Sequence, residues 1–178
     1  SSLNSDVSMR RNIRRITGLP IDAYFSASKL EWLLANIPAV ARAARNGSLR
    51  VGTVDSWLLW NMTGGVVHAT DYTNAARTML FDIDCLDWSD ALVAQFGVPQ
   101  CALPKVRSSI GVFGVTAAGC VLPSGIPITG VAGDQQAALF GQGCFDAGSV
   151  KNTYGTGAFV LLNAGFARPR GDGRLITT

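Results

Sequence analysis

The stretch that decides the fold is Ile126-Pro-Ile-Thr-Gly-Val-Ala-Gly-Asp-Gln-Gln-Ala-Ala-Leu-Phe-Gly-Gln142. An apolar run ends in glycine, an acidic residue follows, and a helical pattern begins. Ile126 to Ala132 reads as a buried strand, Gly133-Asp134 as a tight turn and Gln135 to Gln142 as a helix. Asp134 then sits at the carboxyl end of a strand, where open α/β sheets bind their ligands. Gly133 has no side chain and lets a ligand approach the backbone. The plainer reading is that Asp134 only caps the helix, since Asp is a favoured N-cap.

Upstream, helical and extended patterns alternate, which indicates an α/β architecture. Ser26 to Asn36 predicts a helix with Leu30, Leu33, Leu34 and Ile37 on one face. Pro38 opens a second helix that runs to Asn46 and stops at Gly47. Thr53 caps a third, with Val54, Trp57, Leu58 and Met62 sharing a face before Gly64-Gly65. Val66 to Thr70 and Met79 to Ile83 read as strands around a polar turn or short helix. Asp87 or Ser89 opens another helix that buries Leu92, Val93 and Phe96. Trp32, Trp57, Trp60 and Trp88 fit core packing. Ser149 to Asn163 reads as a glycine-interrupted hairpin. Residues 1–16 are expected to form a solvated arm or linker, with Arg10 to Arg15 as its basic stretch.

Composition narrows the function. The chain has 178 residues, 48% hydrophobic and 15% charged, enough for a sizeable core. A formal charge of +3 is too mild to argue for nucleic acid. The uncharged run Ser108 to Gly133 is broken by Pro123, Pro127 and glycines, which argues against a membrane span. His68 is the single histidine, and no G-x-S-x-G elbow accompanies it, so a serine hydrolase triad is unsupported. Cys85, Cys101, Cys120 and Cys144 are scattered without a C-x-x-C pair. They are expected to be buried in a reducing compartment. The sequons at Asn46 and Asn61 carry little weight, and Arg170-Gly-Asp172 reads as chance.

Three further stretches could hold chemistry. In Lys151-Asn-Thr-Tyr-Gly-Thr-Gly-Ala-Phe159, a threonine between glycines can aim backbone N–H groups and a hydroxyl at phosphate oxygens; a ligand-free hairpin turn is the plainer alternative. In Tyr24-Phe-Ser-Ala-Ser-Lys-Leu-Glu-Trp, a tyrosine before an amphipathic helix can bond a polyol hydroxyl or simply pack. In Thr70-Asp-Tyr-Thr-Asn-Ala-Ala-Arg-Thr-Met79, Asp71 and Arg77 could bind a ligand, but a turn held by local hydrogen bonds is the better reading.

Taken in order and with Gly52-Thr-Val-Asp-Ser-Trp-Leu-Leu-Trp60, these stretches resemble the FGGY family of carbohydrate kinases. Asp134-Gln135-Gln136 is similar to its glycerol-phosphorylating branch rather than to its pentulose or gluconate kinases. The resemblance runs from about Thr17 to Thr178 and implies an actin-like, ribonuclease-H-like ATPase fold. It implies that residues 17–143 are the later part of the first kinase domain and residues 144–178 the opening strands of the second. The family's upstream phosphate loop, its early Arg-Glu pair and its adenine-binding region are not in the sequence, so an internal fragment, inactive alone, is expected.

The resemblance further implies ATP-dependent phosphorylation of glycerol to sn-glycerol 3-phosphate. Asp134 would be the catalytic base, Tyr24 and Gln135 would hold hydroxyls, and Phe159 would pack on the carbon face. Thr156, with Gly155 and Gly157, would touch the transferring phosphate. ATP and Mg2+ would be the cofactors, although no convincing carboxylate cluster for the metal is present. A cytoplasmic homo-oligomer is expected of the full-length protein, with no nucleic acid or membrane partner. Another polyol or sugar as substrate, or a non-catalytic binding module of the same fold, are the alternatives. Ala158 and Ala23 stand where relatives usually carry cysteine and proline. The Ala118 to Gly125 loop lacks the basic residue with which some members bind a sugar bisphosphate inhibitor.

Overall fold

The computed structural model describes residues 7–155, 157–166, 168–169 and 175–178. The described chain falls into two compact units that meet in sequence between Val131 and Ala132.

The first unit opens with helix α1, Val7–Thr17. The expected arm is therefore helical, and its Ile13 and Ile16 are buried in the main core. Met9, Ile13 and Ile16 fall at i, i+4, i+7 spacing, so the arginines occupy the other faces. Helices α2 (Ser26–Asn36) and α3 (Pro38–Arg45) follow with the predicted bounds, Pro38 opening the second. Gly47, at φ +74, turns the chain out of α3. Of α2 only Ala27 is fully buried, while Leu30 and Leu34 pack partly on the core.

Helix α4, Val54–Met62, buries Ser56 and Leu59. The expected face is wrong: Val54, Trp57 and Leu58 are exposed, as are Trp32 and Trp60. A helix apolar on nearly every side gives periodicity no purchase. Strand β1 (Ala69–Asp71) leads into the short helix α5, Tyr72–Ala75. Strands β2 (Phe81–Asp82) and β3 (Asp87–Trp88) pair antiparallel before helix α6, Asp90–Gln95, whose cap residue is Ser89. Leu92, Val93 and Phe96 are buried as predicted.

Strand β4 (Lys105–Arg107) pairs parallel with β1, and β5 (Ile110–Val115) pairs antiparallel with β6 (Pro127–Gly130). The β5–β6 register shifts between Ile110 and Gly114, where Gly111 sits at φ +146. The expected buried strand at 126–132 is thus shorter and largely exposed. It reads as apolar because Phe113 and Ile128 pack toward Leu59 and Ala69 on one side only.

The second unit comprises helix α7 (Asp134–Gly141) packed against the hairpin of β7 (Val150–Tyr154) and β8 (Ala158–Leu162). Val150 faces Leu162 and Tyr154 faces Ala158 in an unbroken antiparallel ladder. No helix of the described residues is long and apolar enough to cross a membrane. The cysteines depart from expectation: Cys85 and Cys101 are exposed, Cys120 and Cys144 half-buried, and all four are free thiols.

Candidate functional site

Gly133, extended at φ −60 and ψ 145, is the cap residue of α7, and Asp134 is the first helical residue. Asp134 does not cap the helix through its side chain. Its carboxylate is exposed, and Oδ1 accepts the Gln135 backbone N–H at 2.8 Å. Oδ2 accepts the Gln135 side-chain Nε2 at 3.3 Å. Adjacent residues thus place a free-facing carboxylate beside a primary amide at the start of one helix.

The other end of that amide is fixed from β7. Lys151 is 2% exposed, and its Nζ donates to Gln135 Oε1 and, at 2.7 Å, to Thr153 Oγ1. Strand alternation puts Lys151 and Thr153 on the same face of β7. Sequence reasoning gives Lys151 no role of its own. No local pattern marks it, because its partner Gln135 stands sixteen positions away in sequence.

Phe159 lies opposite Thr153 in the ladder and is 46% exposed. A Cβ on Gly157 would come within 3.0 Å of the Phe159 ring, so glycine at 157 makes room for that aromatic edge. The Gly155 N–H donates to the Gly157 carbonyl at 3.0 Å, closing the turn between β7 and β8. Thr156, expected to touch phosphate, lies outside the described residues, as does Arg170-Gly-Asp172.

Tyr24 belongs to the first unit. Its turn is tightly held: the Tyr24 N–H donates to Asp22 Oδ1 at 2.7 Å. Lys29 Nζ donates to the carbonyls of Ala23, Tyr24 and Phe25 at 2.6, 2.8 and 3.2 Å. The ring is 72% exposed and meets Phe25 edge-on.

Asp71 is structural. It is fully buried, and its carboxylate accepts from Thr73 N and Oγ1, from Asn74 N and Nδ2, and from Ser109 Oγ. Arg77 stacks over the Phe25 ring at 5.2 Å. His68 is half-buried, its Nε2 bonding the Val51 carbonyl at 2.8 Å. Partial burial pushes its pKa down, against the Val51 hydrogen bond and with help from the nearby Arg50 charge. Among the described residues no group of three His, Cys, Asp or Glu could hold a metal ion.

The fold, small sheets flanked by helices, is that of the FGGY kinases, an actin-like ATPase fold. The chain belongs to the FGGY family of carbohydrate kinases, whose N-terminal domain matches residues 2–141. It is 54% identical over 166 residues to a glycerol kinase of Symbiobacterium thermophilum, covering 93% of this chain and 33% of that protein. It is 51% identical over 170 residues to a glycerol kinase of Halorhodospira halophila, covering 96% and 34%. The crystal structure of Plasmodium falciparum glycerol kinase with ADP superimposes with a TM-score of 0.82 at 39% identity, over 86% of this chain and 30% of that one. A xylulose kinase from Rhodospirillum rubrum shares the fold at a TM-score of 0.76 and 24% identity. The chain spans about a third of the length of these relatives.

Proposed function

We propose that this chain is part of an enzyme that transfers the γ-phosphoryl group of ATP to glycerol, giving sn-glycerol 3-phosphate. The observation that carries the reading is the exposed Asp134 carboxylate, bonded only to its neighbour Gln135 among the described residues and so open to a ligand hydroxyl. Such a carboxylate can accept the proton of an alcohol as its oxygen attacks phosphorus, the bond to the ADP leaving oxygen breaking as the new P–O bond forms. Gln135 holds a further hydroxyl, and the exposed Phe159 edge covers the carbon chain; a hydroxyl contact for Tyr24 is proposed from the family likeness alone. Thr156, with Gly155 and Gly157 on either side of it, contacts the transferring phosphate. Residues 17–143 then complete the first kinase domain and residues 144–178 open the second. The glycerol kinases among its relatives support glycerol as acceptor, and the ADP-bound relative supports an adenine nucleotide as donor. Mg2+ would accompany ATP and neutralise its phosphate charge.

The test is glycerol-dependent ADP release by the full-length enzyme that carries this segment, with and without Asp134→Asn. A positioned base contributes roughly 10²–10⁴-fold, so kcat should fall by at least about 100-fold. Near-normal turnover in the variant overturns the base assignment. A substrate panel of pentuloses, gluconate and longer polyols, all turned over more slowly than glycerol, is the expected companion result.

A further inference from the structure

We propose that Lys151 is a positioning residue that locks the Gln135 amide with its NH2 group toward Asp134, and thereby sets how the site reads a hydroxyl. This rests on the reading of Asp134 and Gln135 as the acceptor-binding end of the site.

The orientation of a glutamine amide is normally a matter of assignment, because its oxygen and nitrogen look alike. Here the partner removes the choice. An ammonium group has three donors and no acceptor, so only Oε1 can face Lys151 Nζ. Nε2 is then forced to the other side, and it lies 3.3 Å from Asp134 Oδ2. Thr153 Oγ1 takes a second ammonium proton and keeps the lysine head from swinging away. Among the described residues the acceptors of Lys151 are neutral, and the side chain is 2% exposed. An ammonium buried among neutral acceptors is an expensive way to fill space; an apolar side chain of similar length would cost less. What the cation supplies and a methionine cannot is direction.

That direction has a chemical result. The pair presents an acceptor, the Asp134 carboxylate, next to a donor, the outward Gln135 N–H. Glycerol can satisfy both at once, donating the proton of its reacting hydroxyl to Asp134 and accepting from Gln135 at a neighbouring hydroxyl, which fixes the rotation of the polyol. A flipped amide would instead set a carbonyl oxygen beside the carboxylate, two acceptors in a row, and lose that fixed rotation.

The experiment uses the full-length enzyme with Lys151→Met, Lys151→Arg and Gln135→Glu. Loss of one oriented hydrogen bond is worth about tenfold in affinity. Lys151→Met should therefore raise the glycerol KM about tenfold or more, while the ATP KM and the kcat at saturating glycerol change less than about threefold. Lys151→Arg, which still donates, should recover most of the loss. Gln135→Glu keeps an acceptor for Lys151 yet removes the donor, so its glycerol KM should rise as in Lys151→Met. The Gln135 side-chain amide resonance, which needs no turnover, should shift in Lys151→Met. A glycerol KM unchanged in Lys151→Met, or unchanged in Gln135→Glu where the lysine variant fails to fold, overturns the proposal. An unmoved amide resonance overturns it too. Failure of the functional reading shows separately, as normal turnover in Asp134→Asn.

Discussion

Replacing Asp71 with asparagine should be among the most damaging single-atom-scale changes in this chain. The side chain is fully buried, and two oxygens serve five donors. Oδ2 accepts Thr73 N at 3.1 Å, Thr73 Oγ1 at 2.6 Å and Ser109 Oγ at 2.6 Å. Oδ1 accepts Asn74 N at 3.0 Å and Asn74 Nδ2 at 2.7 Å. An asparagine has one acceptor oxygen, so whichever way its amide turns, at least the two Asn74 donors or the three others face an NH2 group. The cheaper orientation keeps the Oδ2 set. It still loses two bonds to a charged acceptor, each worth about 1.5–3 kcal/mol, so the expected loss is about 3–6 kcal/mol. Against a domain stability of about 5–15 kcal/mol this is large. In urea, with a slope of about 2 kcal/mol per molar, the midpoint should fall by about 1.5 M or more. Ser109→Ala removes a single bond to the same acceptor and leaves the others, so it should cost about 1.5–3 kcal/mol and serves as the scale. An Asp71→Asn midpoint within about 0.3 M of the parent, or a larger loss in Ser109→Ala, would refute the assignment of five donors to this carboxylate.

Two further outcomes are expected. The folded-state pKa of His68 is held down chiefly by burial, so the unfolded chain binds its proton first as pH falls; stability present above about pH 6.5 is then lost on acidification through the lower folded value, and His68→Gln should flatten the slope of melting temperature between pH 6.5 and 5, equal slopes counting against this. At Gly155 a Cβ meets nothing within 4 Å, so Gly155→Ala should leave the melting temperature unchanged while raising the ATP KM of the full-length enzyme severalfold; an unchanged ATP KM would remove the phosphate from this turn.

Elements with chemical punctuation were legible in the sequence. Pro38 at the start of α3 and Gly47 after it fixed that helix, Ser89 preceded α6, and the glycines at 155 and 157 marked the hairpin. What failed was the choice of face. Four arginines hid the Met9, Ile13, Ile16 stripe of α1, because a charge-rich segment reads as solvated even when its long side chains leave one apolar edge. In α4 the tryptophans favour the wrong side, since the buried side is made of Ser56, Leu59 and Thr63. The residue types of the candidate site stand in the sequence, but their roles came from family likeness. Lys151 carries no local flag, because a strand lysine is ordinarily an edge or surface residue. Its burial depends on Gln135, sixteen positions away in sequence, and no local pattern carries that pairing.

The hairpin links the two halves of the proposed chemistry through one choice of register. Thr153 pairs with Phe159 and Tyr154 with Ala158, and the chain reverses through residues 155–157. Because side chains alternate across a strand, a slip of one residue would turn Lys151 and Thr153 to the opposite face and carry Phe159 with them. The same slip would change which residues form the turn assigned to phosphate. The amide orientation proposed for Gln135, the proposed aromatic wall and the proposed phosphate turn are therefore not three independent features. They are set together by the ladder between β7 and β8. The closing Gly155 to Gly157 hydrogen bond at 3.0 Å helps hold that register, and Gly157 leaves the Phe159 ring the space it occupies.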